Sequence, residues 1–113
     1  MKTTCASIVT TTLSSRAQAA ALAKAVVAAR LAACAQMAPI RSVYWWQGRV
    51  QSGAEVRVQF KTRQARVREL LAFIRARHPY ELPEIIVTPI LTGDPDYLAW
   101  IDRETVSRKA VGP

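Results

Sequence analysis

Hydrophobic and polar side chains trade places most regularly over Glu55-Val56-Arg57-Val58-Gln59-Phe60-Lys61, and a period of two puts Val56, Val58 and Phe60 on one face of a strand. Those three define a core side. A different period governs Gln64 to Arg77, where Val67, Leu70, Leu71 and Ile74 recur at i, i+3, i+4 and i+7 on an otherwise arginine-covered segment, the pattern of an amphipathic helix. Arg75 and Arg77 fall in its last turn, where the helix dipole favours cations, and Pro79, just after His78, ends it. Upstream, the β-branched run from Thr3 to Thr12 predicts a first strand that stops at Ser14-Ser15. Ser15-Arg16-Ala17-Gln18 has capping-box form, and Leu22, Val26, Ala29 and Ala33 carry a helix from there to about Ala33.

Beyond that helix Pro39 forbids another, and the segment from Ala35 to Tyr44-Trp45-Trp46 reads as a second strand with an aromatic end. Gln47-Gly48 allows a bend or bulge and Ser52-Gly53 is a turn signal, so this strand makes a hairpin with the alternating one. Glu84 to Leu91 is a nearly continuous apolar strand whose Pro89 donates no ladder hydrogen bond, which predicts a sheet edge or a bulge. Asp94 then caps a closing helix with Pro95 at its first position, and Tyr97, Trp100 and Ile101 supply its inner face. From Ser107 the chain is small and basic and is expected to fray.

The order β-α-β-β-α-β with an extra C-terminal helix predicts an α+β, ferredoxin-like sandwich, with strands one and three central and strands two and four at the edges. An apolar edge strand and a hairpin ending in three aromatics are hazards in water. Self-association that covers both is therefore expected, with Tyr44, Trp45, Trp46, Ile86 and Pro89 at the interface.

A length of 113 residues makes residues 1–113 one domain with a single core. Polar Thr3 and Thr4 follow Lys2, no apolar run of signal-peptide length precedes Ser14, and Lys24 and Arg30 interrupt the alanine-rich stretch 17–35; a cytoplasmic place and no membrane partner are expected. Cys5 and Cys34 are far apart and outside any Cys-x-x-Cys pattern, so two buried thiols are expected rather than a disulfide or a thiolate zinc site. The net charge of +8 raises the question of nucleic acid, since Lys61, Arg63, Arg66, Arg68, Arg75 and Arg77 form a local basic series. No reading-head motif accompanies it, so a solvated helix face is expected and nucleic acid is not an expected partner.

Candidate chemistry gathers at His78-Pro79-Tyr80-Glu81-Leu82-Pro83-Glu84, which holds the only histidine and two of the eight carboxylates. His78 is either a helix-terminal imidazole that caps the last carbonyls or a metal ligand, with Glu81 and Glu84 as further oxygen donors. Lys61, Arg63 and Tyr80 are the candidates for holding a small anion, with Glu84 facing the same cleft between subunits. No triad, P-loop or glycine-rich phosphate cradle is present, so no enzyme activity is expected.

Leu31-Ala32-Ala33-Cys34, Ser42-Val43-Tyr44-Trp45-Trp46-Gln47-Gly48, Lys61-Thr62, His78-Pro79-Tyr80-Glu81-x-Pro83-Glu84-Ile85 and Gly93-Asp94-x-Asp96-Tyr97-Leu98-x-Trp100 together resemble the CutA family of divalent-cation tolerance proteins. The resemblance implies a cytoplasmic homotrimer of ferredoxin-like subunits whose long hairpin strands pair between subunits, without enzyme activity and linked to heavy-metal tolerance, copper foremost. In some members of that family the copper ligands are a cysteine late in strand one and two adjacent histidines before the Pro-Tyr pair. Here those positions are Thr11, Arg77 and His78, so His78 alone remains. One imidazole per subunit makes a poor copper site unless subunits pool theirs or Glu81 and Glu84 contribute; weak copper binding, or another divalent cation, is what the resemblance implies. The alternative, by analogy of fold alone, is a trimeric signalling module that holds a small anion or nucleotide in inter-subunit clefts.

Overall fold

The structure, a computed structural model, describes residues 5–106. The expected frayed tail and the first residues of the expected first strand, Thr3 and Thr4, lie outside the described residues. Seven elements follow one another: β1 (Ala6–Leu13), α1 (Arg16–Ala28), β2 (Cys34–Trp46), β3 (Arg49–Arg63), α2 (Gln64–Arg77), β4 (Ile85–Pro89) and α3 (Pro95–Glu104). The strands form one antiparallel sheet in the order β2-β3-β1-β4. As expected from the element order, β1 and β3 are central, and Pro89 lies on an edge strand.

One face of the sheet carries α1 and α2. The alternation in β3 sends Val56, Val58 and Phe60 to that side, where they join Val9 and Leu13 of β1 in a core closed by Leu22 and Val26 of α1 and Leu70 and Ile74 of α2. A smaller cluster of Ala6, Ala33 and Ile101 anchors α3, and since Lys61 and Cys34 approach Tyr97 from positions that alternate with the core side, α3 crosses the opposite face. Asp94 caps α3 as expected, its carboxylate accepting from the Tyr97 amide at 3.0 Å. Tyr97, expected to pack inward, stays 40% exposed; its hydroxyl sits beside the Cys34 thiol instead, at 3.7 Å.

Helix α1 stops five residues before the expected Ala33. Arg30 takes a left-handed conformation at φ 63°, the Arg30 amide donates to the Val27 carbonyl and the Leu31 amide to the Val26 carbonyl. That pair of bonds is a Schellman stop, sealed by buried Leu31 against buried Val26. Arginine costs more than glycine in that conformation, and its guanidinium makes a compensating 2.7 Å ion pair with Glu104 of α3. Ala29, expected on the core stripe, is exposed, and Ala19, Leu22, Ala23 and Val26 are the buried positions. At the other end Ser15 accepts from the Gln18 amide at 3.2 Å, but the Gln18 side chain accepts from Ser14 rather than closing the capping box.

The hairpin is longer than expected. Its turn is Gln47-Gly48, with φ of 52° and 76°, a two-residue type I′ connection between paired Trp46 and Arg49. Ser52-Gly53 makes no turn: the ladder runs straight through them, pairing Val43 with Ser52 and Ser42 with Gly53. Strand β1 reaches only Val56, so from Arg49 to Glu55 strand β3 has β2 as its sole neighbour and the ribbon stands clear of the core. The radius of gyration, 15.2 Å, accordingly exceeds the roughly 13 Å of a compact chain this long. The expectation of two buried thiols is not met either, because Cys5 is exposed and Cys34 half-buried, both free. No helix among the described residues is long and apolar enough to cross a membrane.

Candidate functional site

Helix α2 ends at Arg77, and the extended backbone of His78 turns its ring away from the helix and towards the end of β1. The Tyr80 amide donates to His78 Nδ1 at 3.1 Å. Nδ1 is therefore the unprotonated nitrogen, and Nε2–H is left to donate to the Thr12 carbonyl at 2.9 Å and to the Thr11 hydroxyl at 3.0 Å. The ring does not cap the last carbonyls of α2. It clips the 78–84 loop to β1.

Burial pushes the His78 imidazole below its ordinary pKa of 6.5, with Arg75 pushing the same way, against the bond to Thr12 and the charge of Glu55, which favour protonation. A histidine held neutral by the fold adds stability in full above the unfolded value near pH 6.5, and loses it as the pH falls through the lowered folded value. We expect the urea midpoint to drop more between pH 7.5 and 5.0 in the parent chain than in His78→Gln, whose amide can still donate to Thr12. Parallel pH curves for the two proteins would show that the clip does not titrate.

Two residues further on, the Tyr80 hydroxyl donates to Glu55 Oε2 at 2.8 Å. Burial, reinforced by that bond, pushes the phenol pKa well up, so Tyr80 is a neutral donor. The His78 and Tyr80 rings meet edge to face at 4.8 Å. The loop thus stands across from the hairpin, and between them lies a cleft of about 600 Å³ that Tyr44, Trp45 and Trp46 line from the hairpin and Tyr80, Glu81 and Glu84 from the loop, with Glu55 and Thr12 also in its lining.

Of the residues singled out in the sequence, Tyr80, Glu81 and Glu84 share this cleft with the hairpin aromatics, whereas Lys61 and Arg63 do not reach it in the same chain. Six residues of strand, about 20 Å, separate Lys61 from Glu55. Lys61 donates to Gln36 at 2.7 Å and lies over the Tyr97 ring, and Arg63 donates to the Thr105 carbonyl at 3.3 Å. Glu55 and Thr12 were not legible as site residues, since Glu55 reads only as a polar position of an alternating strand and Thr12 accepts through its backbone. Tyr44 at 48%, Trp45 at 72% and Ile86 at 50% are exposed, as is Pro89, while Trp46 is half-buried.

Copper does not fit the donors of one chain. Both His78 nitrogens are engaged, and no group of three His, Cys, Asp or Glu side chains converges among the described residues. Arg77, the neighbour of His78, points elsewhere and stacks on Phe73 at 3.5 Å. Thr11, where the resemblance places a cysteine, does lie against His78, with oxygen in place of sulfur.

Comparison with known proteins agrees with the fold. The family described as "CutA1 divalent ion tolerance protein" matches residues 7–104. The chain is 38% identical over 96 residues to "Divalent-cation tolerance protein CutA" of Yersinia pestis (strain Pestoides F), covering 84% of this chain and 81% of that protein. It is 42% identical over 87 residues to "Protein CutA" of Mus musculus, covering 76% of this chain and 49% of the mouse protein; the chain spans about half the length of this curated relative and of its rice counterpart. The solved structure of CutA from Synechococcus elongatus PCC7942 superposes with a TM-score of 0.90 at 33% identity, covering 94% of this chain and 95% of that one. With a match that runs from β1 to the end of α3, the chain belongs to the CutA1 divalent ion tolerance family.

Proposed function

We propose that this protein works in divalent-cation tolerance as a non-enzymatic, cytoplasmic homotrimer whose projecting hairpins cover one another. The observation that carries the assembly is the ribbon beyond β1: a two-stranded hairpin is marginal in water, and this one exposes Val43, Tyr44, Trp45 and Val50. Edge strand β4 likewise exposes Ile86 and Val87. Three copies that bury these surfaces account for a sequence that otherwise invites aggregation. The free thiols Cys5 and Cys34 suit a reducing compartment. Mass in solution tests the assembly directly, with three times the 12.5 kDa subunit mass expected at micromolar concentration and a stable single subunit as the result that refutes it.

Any copper binding in this proposal is weak, because it falls to groups shared between subunits and not to His78. Calorimetric titration with copper should give the same heats for the parent and for His78→Ala. Thr11→Cys, which sets a sulfur beside Nε2, should raise the affinity; a loss of heat in His78→Ala would instead return the imidazole to the metal site. The alternative of a small anion or nucleotide is not favoured by this cleft, where Glu55, Glu81 and Glu84 would repel it.

A further inference from the structure

A second hollow opens among the helices, between the first half of α1 and the end of α2. Its volume is about 280 Å³, and Leu13, Gln18, Ala21, Leu22, Ala25, Arg77 and Pro79 line it. None of these residues belongs to the hairpin or to edge strand β4, so the surfaces that the proposed assembly covers lie elsewhere. Ala21 and Ala25 stand one turn apart on the same side of α1 and leave room that larger side chains would take. Pro79 keeps α2 from running on to close it.

Buried Leu13 and Leu22, the two alanines and Pro79 make most of this lining apolar, and Gln18 and Arg77 are its polar members. The Gln18 side-chain oxygen accepts from Ser14 at 2.6 Å, which leaves the two N–H donors of its amide. Arg77 stacks on the Phe73 ring at 3.5 Å and donates to the Phe73 carbonyl at 3.4 Å. Those contacts hold the guanidinium plane in place, and its other N–H groups enter no ion pair among the described residues.

No carboxylate lines the hollow. Helix α1 has no acidic residue, and the one carboxylate of α2, Glu69, is paired with Arg66 at 2.8 Å. Arg16, Lys24, Arg68, Arg75 and Arg77 are exposed on the same two helices, so an anion is drawn here and a cation repelled. About 150 Å³ is enough to take up benzene, so this hollow has room for one ring or a short alkyl chain. A wholly polar anion leaves the apolar lining unmatched, and a hydrocarbon leaves Arg77 without an acceptor.

We propose that the hollow between α1 and the end of α2 binds a small amphiphilic carboxylate, its charged end held by Arg77 and Gln18 and its apolar body lying against Leu13, Leu22, Ala21 and Ala25. The site is complete within one subunit and does not depend on the trimer. The probe is hexanoate at neutral pH, titrated while the amide resonances of the protein are followed, with 1-hexanol as the uncharged match and acetate at equal ionic strength as the anion without a chain.

The amides from Gln18 to Ala25 should shift saturably with hexanoate, and hexanol and acetate should each bind at least about fivefold more weakly. Arg77→Gln should lower the hexanoate affinity at least about fivefold, the loss expected of a charge-assisted contact, while Arg75→Gln, outside the lining, should change it less than about twofold. Ala21→Leu fills the hollow and should abolish binding. Arg77 and Ala21 are both exposed, so the fold is not at stake. The absence of any saturable shift overturns the proposal, as do equal responses to hexanoate and hexanol or unchanged affinity in either lining variant. An equal loss in Arg75→Gln would trace the effect to the general field of the two helices and overturns it as well.

Discussion

Trp45→Glu should reduce the proposed three-subunit particle to single subunits at micromolar concentration. Trp45 is 72% exposed in the single chain, on the part of the hairpin that no other element of the chain supports. Buried aromatic anchors at interfaces typically contribute about 2–4 kcal/mol each, and a carboxylate in the same place adds desolvation without a partner. In the proposed trimer the substitution acts once in every seam, so even the low end of that range weakens assembly by more than a factor of ten per contact. Light scattering or native mass measurement reads the outcome. Lys24→Glu, on the exposed outer side of α1, changes charge by the same sign and should leave the mass alone; a Trp45→Glu protein that keeps the parent mass would remove this residue from the interface.

Phe60→Ala should lower the unfolding free energy by about 3–5 kcal/mol, the usual cost of emptying a buried aromatic site. Phe60 is fully buried in central strand β3, paired with Val9 of β1 and Ala35 of β2, and lies in the main core with Leu70 and Ile74 of α2. Regular elements on both sides leave little room to collapse into the space. Urea unfolding at one fixed protein concentration is the measurement, because association would make the midpoint concentration-dependent. Val58→Ala in the same strand removes fewer atoms and should cost less. A Phe60→Ala loss no greater than that of Val58→Ala would mean that the core reorganises to fill the gap.

Much of this fold could be read before any coordinate was known, because period and turn chemistry are local. Val56, Val58 and Phe60 face the core as their alternation requires, and Val67, Leu70 and Ile74 are the buried stripe of α2. Sequence and structure part where a residue type has two uses. Gly53 suggests a turn, yet here it only continues a ladder opposite Ser42 in a ribbon with open space where a Cβ would point. The stop of α1 was hidden because an arginine, not a glycine, holds the left-handed position.

The candidate site was half legible. His78, Tyr80, Glu81 and Glu84 lie close in sequence and stay close in space, and the hairpin aromatics meet them across the cleft. The partners that fix the role of His78 are a backbone amide and a backbone carbonyl, atoms that every residue offers and no composition reveals. The sequence groups Lys61 and Arg63 with Tyr80 as candidates for a small anion in a cleft between subunits. The length of an extended strand, which only the register discloses, keeps them at its far end within one chain.

The arginine at the end of α1 has one more bearing on the molecule. Its guanidinium reaches both the carboxylate and the backbone oxygen of Glu104, so a single side chain latches the last turn of α3 to the residue that terminates a helix on the other side of the sheet. The two helix ends lie 74 positions apart in the chain and share this fastening. Undocking α3 would strip the strained residue of its compensation, and loosening either end makes the other easier to open.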